Sequence, residues 1–473
     1  MKRKITFSLF LAALILPAAL NAAVVDVFTA KQAAKNFYYA RNYQTVKSYE
    51  SISLQTLLVR NEAAQPVYYV FSTPEKGFVI MSADDAVTPV LGYSFTNEFS
   101  VNDNSPAFDS WMQTYVDIIM LSRQNGTQAN EEIQNAWKSL MNSASAIESM
   151  PKGSKAVTPL LVSTWNQDKY YNELAPADPA SAADGHAYAG CVATAMGQIM
   201  NYFKYPLNGN GSKTYTANNA YLGYGDYGTL SANFGATWYE WNGMPNNLIE
   251  RNLPVATLLY HAGVSVSMMF GPNASGAQST SVAPALVNYF RYKNTLTLIS
   301  RDTYGNDTRW KDSLKSSLNR KTPIYYSGDG NATGTGHAFV CDGYNASDMF
   351  HFNWGWSGSG DGYFAVTALS PSGNNFTYHQ AALINISPIT TAYPYYCSGT
   401  TTLNWTAGTF EDGSSPQKNY YDNSDCNWLI SVPGANKISI SFNRFAVESM
   451  DSVIIYNGST TSSAVLAKYT GAT

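Results

Sequence analysis

The stretch that decides the fold runs from residue 190 to residue 203 and reads GCVATAMGQIMNYF. Apolar side chains recur in it at helical spacing, which predicts a helix with one buried face: Val192, Met196, Ile199 and Phe203. Cys191 then lies at or just before the helix N-terminus, where free backbone N–H groups and the helix dipole lower the pKa of a thiol. The same N–H groups can hold an oxyanion. The pattern therefore indicates a reactive cysteine.

A second stretch, residues 334–344, reads GTGHAFVCDGY and supplies the best candidate base, His337. Glycine before it and an apolar run after it place the imidazole at the mouth of a predicted strand. A thiolate nucleophile needs such a group to accept and donate a proton, and the separation from Cys191 is within the roughly 130–150 residues typical of papain-like enzymes. The other histidines are interpreted as structural (His261, His351 and His379) or lie in a Gly- and Ala-rich loop (His186).

The stretch MFHFNWGWSG, which starts at Met349, is predicted to form a hairpin with the His337 strand. Asn353 is a natural third member of a Cys-His-Asn set, because its amide oxygen can accept from the imidazole N–H and hold the tautomer. Pairing Tyr344 with Met349 puts Trp354 on the face of His337 and points Asn353 away, whereas a one-residue bulge would reverse this. Asn353 and Trp354 are therefore both candidate catalytic partners.

The composition is that of an exported globular protein. Of 473 residues, 45% are hydrophobic, 14% aromatic and 13% charged, and the formal net charge is −4. This excludes a disordered or coiled-coil protein, and the length accommodates about three domains. Without a basic patch, nucleic acid is not an expected partner, and no cofactor is expected.

Residues 1–23 are predicted to be a cleaved signal peptide. Three basic residues precede an apolar run from Ile5 to Leu20, and small residues follow at Ala22 and Ala23. A membrane anchor is the weaker alternative, because the run is at the short end of the about 20 residues that span a bilayer. We expect the mature protein to be secreted, and its retention at the cell surface stays open.

Residues 24–152 are predicted to form a compact α+β unit. Strand-like runs at 67–72 and 77–82 precede a helical stretch at 108–123, and the unit contains no His and no Cys. A small and polar stretch with Lys152 and Lys155 follows, which is typical of an exposed linker that a protease can cut.

The cysteines divide into two pairs. Cys397 and Cys426 lie in a C-terminal region of short alternating strands, for example at 437–442 and 452–456, and in a secreted β domain they are expected to form a disulfide. Cys191 and Cys341 remain, either as a second disulfide or with one of them a reactive thiol. The chain stops at residue 473 soon after a strand-like run, which leaves open whether the C-terminal module ends there or is truncated.

These motifs resemble the streptopain family of secreted cysteine endopeptidases, which includes the interpains. The resemblance rests on GCVATA and QIM around Cys191, on GHAFV and DG around His337, and on the following NWGW. It extends to YEWN, GVSV and FGP between them, to residues 78–82 and to residues 91–94, and covers about three quarters of the chain.

The resemblance implies an α+β architecture: a papain-like cysteine peptidase domain at residues 153–390, preceded by an inhibitory propeptide at residues 24–152. It also implies self-processing of a zymogen. A looser resemblance to CUB domains, carried by CNWLI and DSV among other runs, implies a small all-β sandwich at residues 395–473. The acids of a calcium site do not form a clear set there, so no metal is expected.

Carried over residue by residue, the resemblance makes Cys191 the nucleophile, His337 the general base, and Gln167 the side-chain donor of the oxyanion hole. The substrate cleft would be lined by Ser275, Gly276 and Gly336. The loop NASGAQ at residues 273–278 departs from the family's more Ser- and Gly-rich version, which puts the subsite preference in doubt. Cys341 stands where an apolar residue would serve, which favours a core thiol over a disulfide.

We therefore expect a secreted cysteine endopeptidase, made as a zymogen, that acts on protein and peptide substrates, with its own propeptide as inhibitor and a role in virulence. The C-terminal module is a candidate for binding host protein, glycan or a cell surface. One alternative is an inactive adhesin, which would tolerate loss of Cys191 and His337. Another is a different Cys-His enzyme, such as a transglutaminase or amidase, which would incorporate amines instead of cleaving peptides.

Overall fold

A computed structural model describes residues 24–42, 46, 48–102, 105–142, 156–304, 306–329, 336–367, 379–389, 391 and 393–472. The elements fall into three parts, called here the N-terminal unit (residues 24–142), the central domain (residues 156–389) and the C-terminal module (residues 393–472). The predicted signal peptide and the predicted cleavage region near Lys152 and Lys155 lie outside the described residues.

Three helices belong to the N-terminal unit and five to the central domain, among the residues described. They are α1 (Val27–Asn42), α2 (Pro106–Gln124), α3 (Glu131–Leu140), α4 (Cys191–Phe203), α5 (Leu253–Ser265), α6 (Val282–Phe290), α7 (Arg301–Tyr304) and α8 (Asp307–Asn319). None of these helices is long and apolar enough to cross a bilayer.

The strands are numbered through all three parts. They are β1 (Thr56–Glu62), β2 (Gln65–Ser72), β3 (Phe78–Ser82), β4 (Val90–Ser94), β5 (Ser212–Asn218), β6 (Asp226–Asn233), β7 (Thr297–Ser300), β8 (Ile324–Asp329), β9 (Gly336–Tyr344), β10 (Met349–Asn353), β11 (Gly362–Ala365), β12 (Ala381–Ile384), β13 (Gly399–Leu403), β14 (Cys426–Ile430), β15 (Ala446–Val447), β16 (Val453–Tyr456), β17 (Val465–Tyr469) and β18 (Gly471–Ala472).

One ten-stranded sheet runs through the N-terminal unit and the central domain, in the order β1-β2-β3-β4-β11-β10-β9-β8-β12-β7. The two parts join where β4 pairs antiparallel with β11, through Tyr93 opposite Tyr363 and Gly92 opposite Phe364. Glycine is required on both sides of this junction. A Cβ on Gly92 would come within 2.5 Å of the Phe364 ring, and one on Gly362 within 2.5 Å of the Tyr93 carbonyl oxygen.

Helix α2 covers one face of that sheet. Ser105 caps its N-terminus by accepting from the Phe108 N–H, and Pro106 occupies the first turn, where a missing N–H costs nothing. The apolar face predicted from the sequence is buried, and Trp111 packs edge-on against Phe352 and Phe339 of the sheet. The N-terminal unit is thereby held by side-chain packing as well as by strand pairing.

Helix α4 is the central element of the domain. Every residue from Val192 to Phe203 is buried, and the helix packs against α5 and β9. A helix that is buried on all sides needs small residues at its close contacts: a Cβ on Gly197 would come within 2.4 Å of Leu259. The helix ends at Lys204, which adopts the left-handed conformation.

The C-terminal module consists of two-stranded sheets in the described residues, pairing β13 with β14, β15 with β18, and β16 with β17. Cys397 is disulfide-bonded to Cys426, with a Cα–Cα distance of 5.6 Å. The predicted strand at 437–442 is wrong: that segment pairs with no described strand, since alternation alone cannot supply a hydrogen-bonding partner.

The C-terminal module contacts the central domain at the end of α4. The Lys204 ammonium donates to the Thr409 hydroxyl at 2.9 Å, and the Thr409 N–H donates to the Asn242 carbonyl at 3.0 Å. Gly243 lies against the Trp405 indole, where a Cβ would come within 2.6 Å of the ring. These contacts lie at the opposite end of α4 from Cys191.

Candidate active site

Cys191 is the first residue of α4, as the apolar spacing predicts. Gly190 before it has φ +90°, and a Cβ there would come within 3.1 Å of both Met268 and Ser275, so only glycine fits. Burial raises the pKa of the Cys191 thiol, and the backbone N–H groups of Ala338, Val192 and Cys191 itself offset part of that rise. In this form of the protein, burial therefore opposes formation of the Cys191 thiolate.

Gln167 lies beside the segment that leads into α4. Its backbone carbonyl accepts from the Ala189 N–H at 2.8 Å, and its backbone N–H donates to the Asn166 side chain at 2.8 Å. The residue is half-buried. The structure thus brings the predicted oxyanion donor next to the residues that precede Cys191.

His337 lies on the other face of strand β9 from the one that meets Cys191. Side chains alternate along a strand, and β9 pairs with β8 without interruption here, Ala338 with Ser327 and His337 with Gly328. Ala338 is the residue whose N–H meets the thiol. His337 and Phe339 instead line a small cavity under α2.

The remaining lining residues of that cavity show which part of the protein lies next to His337. The other walls of the cavity are residues of α2, one glycine of β8 and the residue before β12: Ala107, Ser110, Trp111, Thr114, Gly328 and Gln380. The structure therefore places His337 beside residues of the N-terminal unit. Sequence spacing gave no signal of this, because it reports separation along the chain and not the face of a strand.

Asn353 and Trp354 occupy opposite faces of the sheet. Trp354 is buried against Phe339, with ring centroids 4.6 Å apart, and so shares the face of His337. Asn353 faces α4, where its side chain is hydrogen-bonded to Gln198 and to the Ser163 carbonyl. Asn353 has no place beside the imidazole in this arrangement.

The predicted hairpin register is wrong next to the turn and correct beyond it. Tyr344 pairs with Phe350, not with Met349, and a bulge after His351 brings Asn353 opposite Val340. The side chain of Asn345 lengthens the turn by accepting from the Ser347 and Met349 N–H groups. The bulge absorbs the extra residue.

The three predicted cleft residues lie in different surroundings. Ser275 packs against Gly190, and its hydroxyl accepts from the Gly271 N–H at 3.0 Å. Gly276 forms an isolated bridge with Met269. Gly336 is exposed at the start of β9.

Tyr224 is a neighbour of this loop that sequence reasoning missed. A Cβ on Gly276 would come within 2.6 Å of the Tyr224 hydroxyl, and one on Gly271 within 3.2 Å of the Tyr224 backbone. The residue comes from the turn between β5 and β6, a connection that no motif marked.

Cys341 is a free and fully buried thiol, and burial raises its pKa well above the ordinary value. Cys191 is also free, so the two do not form a disulfide. Among the residues the structure describes, no three His, Cys, Asp or Glu side chains are grouped as a metal site.

A buried acid–base cluster lies behind Trp354. His351 Nδ1 is 2.6 Å from an Asp342 carboxylate oxygen, and the other oxygen of Asp342 accepts from the Leu161 N–H. Asp361 accepts from the Trp354 N–H at 2.8 Å. Burial raises the pKa of Asp361 to about 7. Burial alone would lower the pKa of His351, but the Asp342 carboxylate reverses the effect and raises it.

This cluster is expected to contribute a loss of stability to the uncut protein as pH rises. An unfolded Asp titrates near 3.9, so between about pH 4 and 7 the folded chain holds more protons at Asp361, and the free energy of unfolding falls with pH. His351 adds a loss of the same sign above about pH 6.5. Asp361→Asn should flatten the dependence between pH 4 and 7, measured as urea midpoints in a Cys191→Ala background.

Asp226→Asn, at an exposed position, is the matched control and should keep the slope. Equal slopes for Asp361→Asn and its parent would contradict the assignment.

A thiol at the N-terminus of a buried helix with a neighbouring glutamine is typical of a cysteine peptidase, and the N-terminal unit shares a sheet with the domain that carries it. Residues 165–364 match the Peptidase C10 family, residues 22–119 match the Spi protease inhibitor family, and residues 397–473 match the CUB domain. The chain belongs to the Peptidase C10 family, with an inhibitor-type propeptide and an all-β CUB module.

Curated relatives support this membership. The chain is 32% identical over 367 residues to streptopain of Streptococcus pyogenes, covering 72% of this chain and 86% of that one. It is 32% identical over 406 residues to the thiol protease/hemagglutinin PrtT of Porphyromonas gingivalis, covering 83% of this chain but only 45% of PrtT.

A solved structure shows the same fold. The prointerpain A fragment 39–359 of Prevotella intermedia, a cysteine-to-alanine mutant, superposes with a TM-score of 0.55 at 33% identity, over 70% of this chain and 98% of the fragment. The predicted fold class is confirmed by these comparisons.

Proposed function

We propose that this chain is a secreted cysteine endopeptidase that is made as a zymogen and processes itself. The observation that carries the proposal is the placement of Cys191 at the N-terminus of α4 with Gln167 bonded to the residue two before it. Backbone N–H groups at a helix N-terminus and a side-chain amide are the donors that an acyl-transfer oxyanion needs. The C10 family membership gives the reaction class.

In the proposed reaction the Cys191 thiolate attacks the carbonyl carbon of a peptide bond. The Cys191 N–H and the Gln167 amide hold the oxyanion. His337, which has taken the proton of the Cys191 thiol, gives that proton to the leaving amine, and then takes one from the water that releases the acyl group and restores the thiolate and the imidazolium. For this reaction the His337 imidazole has to move from the cavity under α2 to the face of β9 on which Ala338 lies. Release of the N-terminal unit would therefore accompany assembly of the Cys191–His337 pair.

Three further roles belong to the proposal. Ser275, Gly276 and Gly336 would line the substrate cleft, because Ser275 contacts Gly190 and Gly336 starts the strand of His337. Cleavage near Lys152 or Lys155 would separate the propeptide. The CUB module would bind host protein, glycan or the cell surface after export through the signal peptide.

The test follows the mass of the chain without residues 1–23, under reducing conditions, with a protein substrate present. The expected result is shortening by about the N-terminal unit, digestion of the substrate, and a new N-terminus between residues 143 and 158. A start far from there would overturn the cleavage assignment. Amine incorporation without cleavage would favour a transglutaminase, and an inert chain after added protease cuts the linker would favour an adhesin.

Gln167→Ala is expected to lower kcat about 10²- to 10³-fold with a smaller change in KM, since an oxyanion donor acts mainly in the transition state. Steady-state kinetics on a fluorogenic peptide measure this. Gln417→Ala, in the C-terminal module, is the matched control and should leave both constants unchanged. A fall in kcat/KM that comes from KM alone would show that Gln167 binds substrate and does not hold the oxyanion.

A further inference from the structure

Gln198 is an amide buried completely in the core, two helical turns along α4 from Cys191. Its Oε1 accepts from the Ser163 hydroxyl at 3.0 Å and from the Trp165 N–H at 3.1 Å. Its Nε2 donates to Asn353 Oδ1 at 2.8 Å. Burying an amide costs free energy unless it is hydrogen-bonded, and an aliphatic side chain would fill the same space without that cost.

Asn353 closes the network from the side of the sheet. Its Nδ2 donates to the Ser163 carbonyl at 2.8 Å, and its Oδ1 accepts from the Gly355 N–H at 3.1 Å in addition to Gln198. Gly355 approaches α4 closely, because a Cβ there would lie 3.1 Å from the Thr194 methyl. Helix α4, the residues before Gln167 and the turn after β10 are thus joined through two buried amides.

The network ends at the proposed oxyanion donor. The Trp165 N–H, held by Gln198, is two residues before Gln167. The Asn166 side chain between them accepts from the Gln167 N–H and donates to the Ser357 hydroxyl at 3.1 Å. On its other side the Gln167 carbonyl is held by Ala189. The position of Gln167 along the axis of α4, relative to Cys191, therefore depends on the position of Trp165.

We propose that Gln198 is a positioning residue. Together with Asn353, it fixes the position of the segment that carries Gln167 along the axis of α4, the helix that begins at Cys191. Asn353 then contributes to catalysis through Gln198 and does not orient His337. The inference rests on the proposed function, because it takes Cys191 as nucleophile and Gln167 as oxyanion donor.

The experiment compares Gln198→Leu with the parent, both matured and counted by active-site titration with iodoacetamide. Three quantities are measured: kcat and KM on a fluorogenic peptide, the Ki of a peptide aldehyde, and the rate of thiol alkylation by iodoacetamide. The aldehyde adduct carries an oxygen in the oxyanion site, whereas alkylation does not use that site. We expect kcat to fall and Ki to rise by about 10- to 100-fold, with KM and the alkylation rate within about threefold.

Two further variants separate positioning from stability. In Gln198→Leu/Asn353→Leu the Ser163 carbonyl and the Gly355 N–H also lose their partner, so thermal stability should fall below that of Gln198→Leu, while kcat should fall no further. In Gln198→Glu a protonated carboxyl can still donate to Asn353, so kcat should approach that of the parent at acidic pH and be lost as the carboxyl ionises. This pH profile also serves if Gln198→Leu does not fold.

Ser317→Ala is the matched control. Ser317 is fully buried and hydrogen-bonded to Thr322, away from the site, so it should lower stability and leave kcat per titrated site unchanged. The proposal is overturned if kcat per site in Gln198→Leu stays within about threefold of the parent, or if alkylation slows as much as kcat, which would mean that Cys191 itself has moved. Peptide cleavage by Cys191→Ala would refute the proposed function instead.

Discussion

Cys191→Ala is expected to lower kcat/KM for a peptide substrate by about 10⁴-fold or more and to leave the chain at full length. Removal of a nucleophile takes away the covalent step, and what remains is the acceleration from binding and the oxyanion site. The Cys191 residue is only partly buried, so alanine leaves no large cavity and the fold should persist. The measurement is peptide hydrolysis, together with the mass of the chain over time under reducing conditions.

Cys341→Ala provides the matched cysteine control. It removes the other free thiol, which lies in the core where β9 pairs with Ile324 and Phe352, so it should reduce stability slightly and keep both hydrolysis and self-processing. If Cys341→Ala were inactive and Cys191→Ala active, the assignment of the nucleophile would be refuted.

The second large effect is expected at the interface between α2 and the sheet. Trp111 is buried against the aromatic rings of three strands, at centroid distances of 4.9 Å to Phe352, 6.0 Å to Phe339 and 6.2 Å to Tyr326. Truncation of a buried tryptophan costs about 3–5 kcal/mol, which corresponds to about 10²- to 4 × 10³-fold in affinity. Trp111→Ala should therefore loosen the N-terminal unit by that factor after the linker is cut.

The measurement is made in the Cys191→Ala background, with the linker cut by an added protease and the dissociation constant of the two fragments determined by dilution. Trp137→Ala is the matched control: Trp137 is buried within the N-terminal unit and donates to the Val87 carbonyl. Trp137→Ala should lower the free energy of unfolding of the separated N-terminal unit and raise the dissociation constant less than Trp111→Ala does. Equal dissociation constants for Trp111→Ala and the parent would refute the proposed role of α2.

The sequence predicted α4, its start at Cys191 and the helical stretch of α2, because apolar spacing reports which face of a helix is buried. It also predicted the strand that carries His337. It could not predict the face on which His337 lies, since that depends on α2, which is distant in the chain. The predicted pairing of Tyr344 with Met349 failed for a local reason, a turn widened by the Asn345 side chain.

Asn353 and Gln198 show a different limit of prediction from the sequence. A resemblance marks such residues as parts of a motif, but the chemistry of an amide does not reveal its partner. Asn353 was a candidate for orienting an imidazole because amides do so in related sites. The structure instead pairs two amides with each other and with the backbone before Gln167, and only the packing of α4 against the sheet brings these segments together.

The strand pairing between β4 and β11 has a consequence for the kinetics of activation. If the linker is cut as proposed, that ladder and the α2 contacts stay in place, so departure of the N-terminal unit is a separate dissociation step. After departure β11 becomes the edge of the sheet, with backbone groups able to accept an extended chain again. The extent of activation therefore depends on dilution: concentrated samples re-pair, and dilute ones stay open.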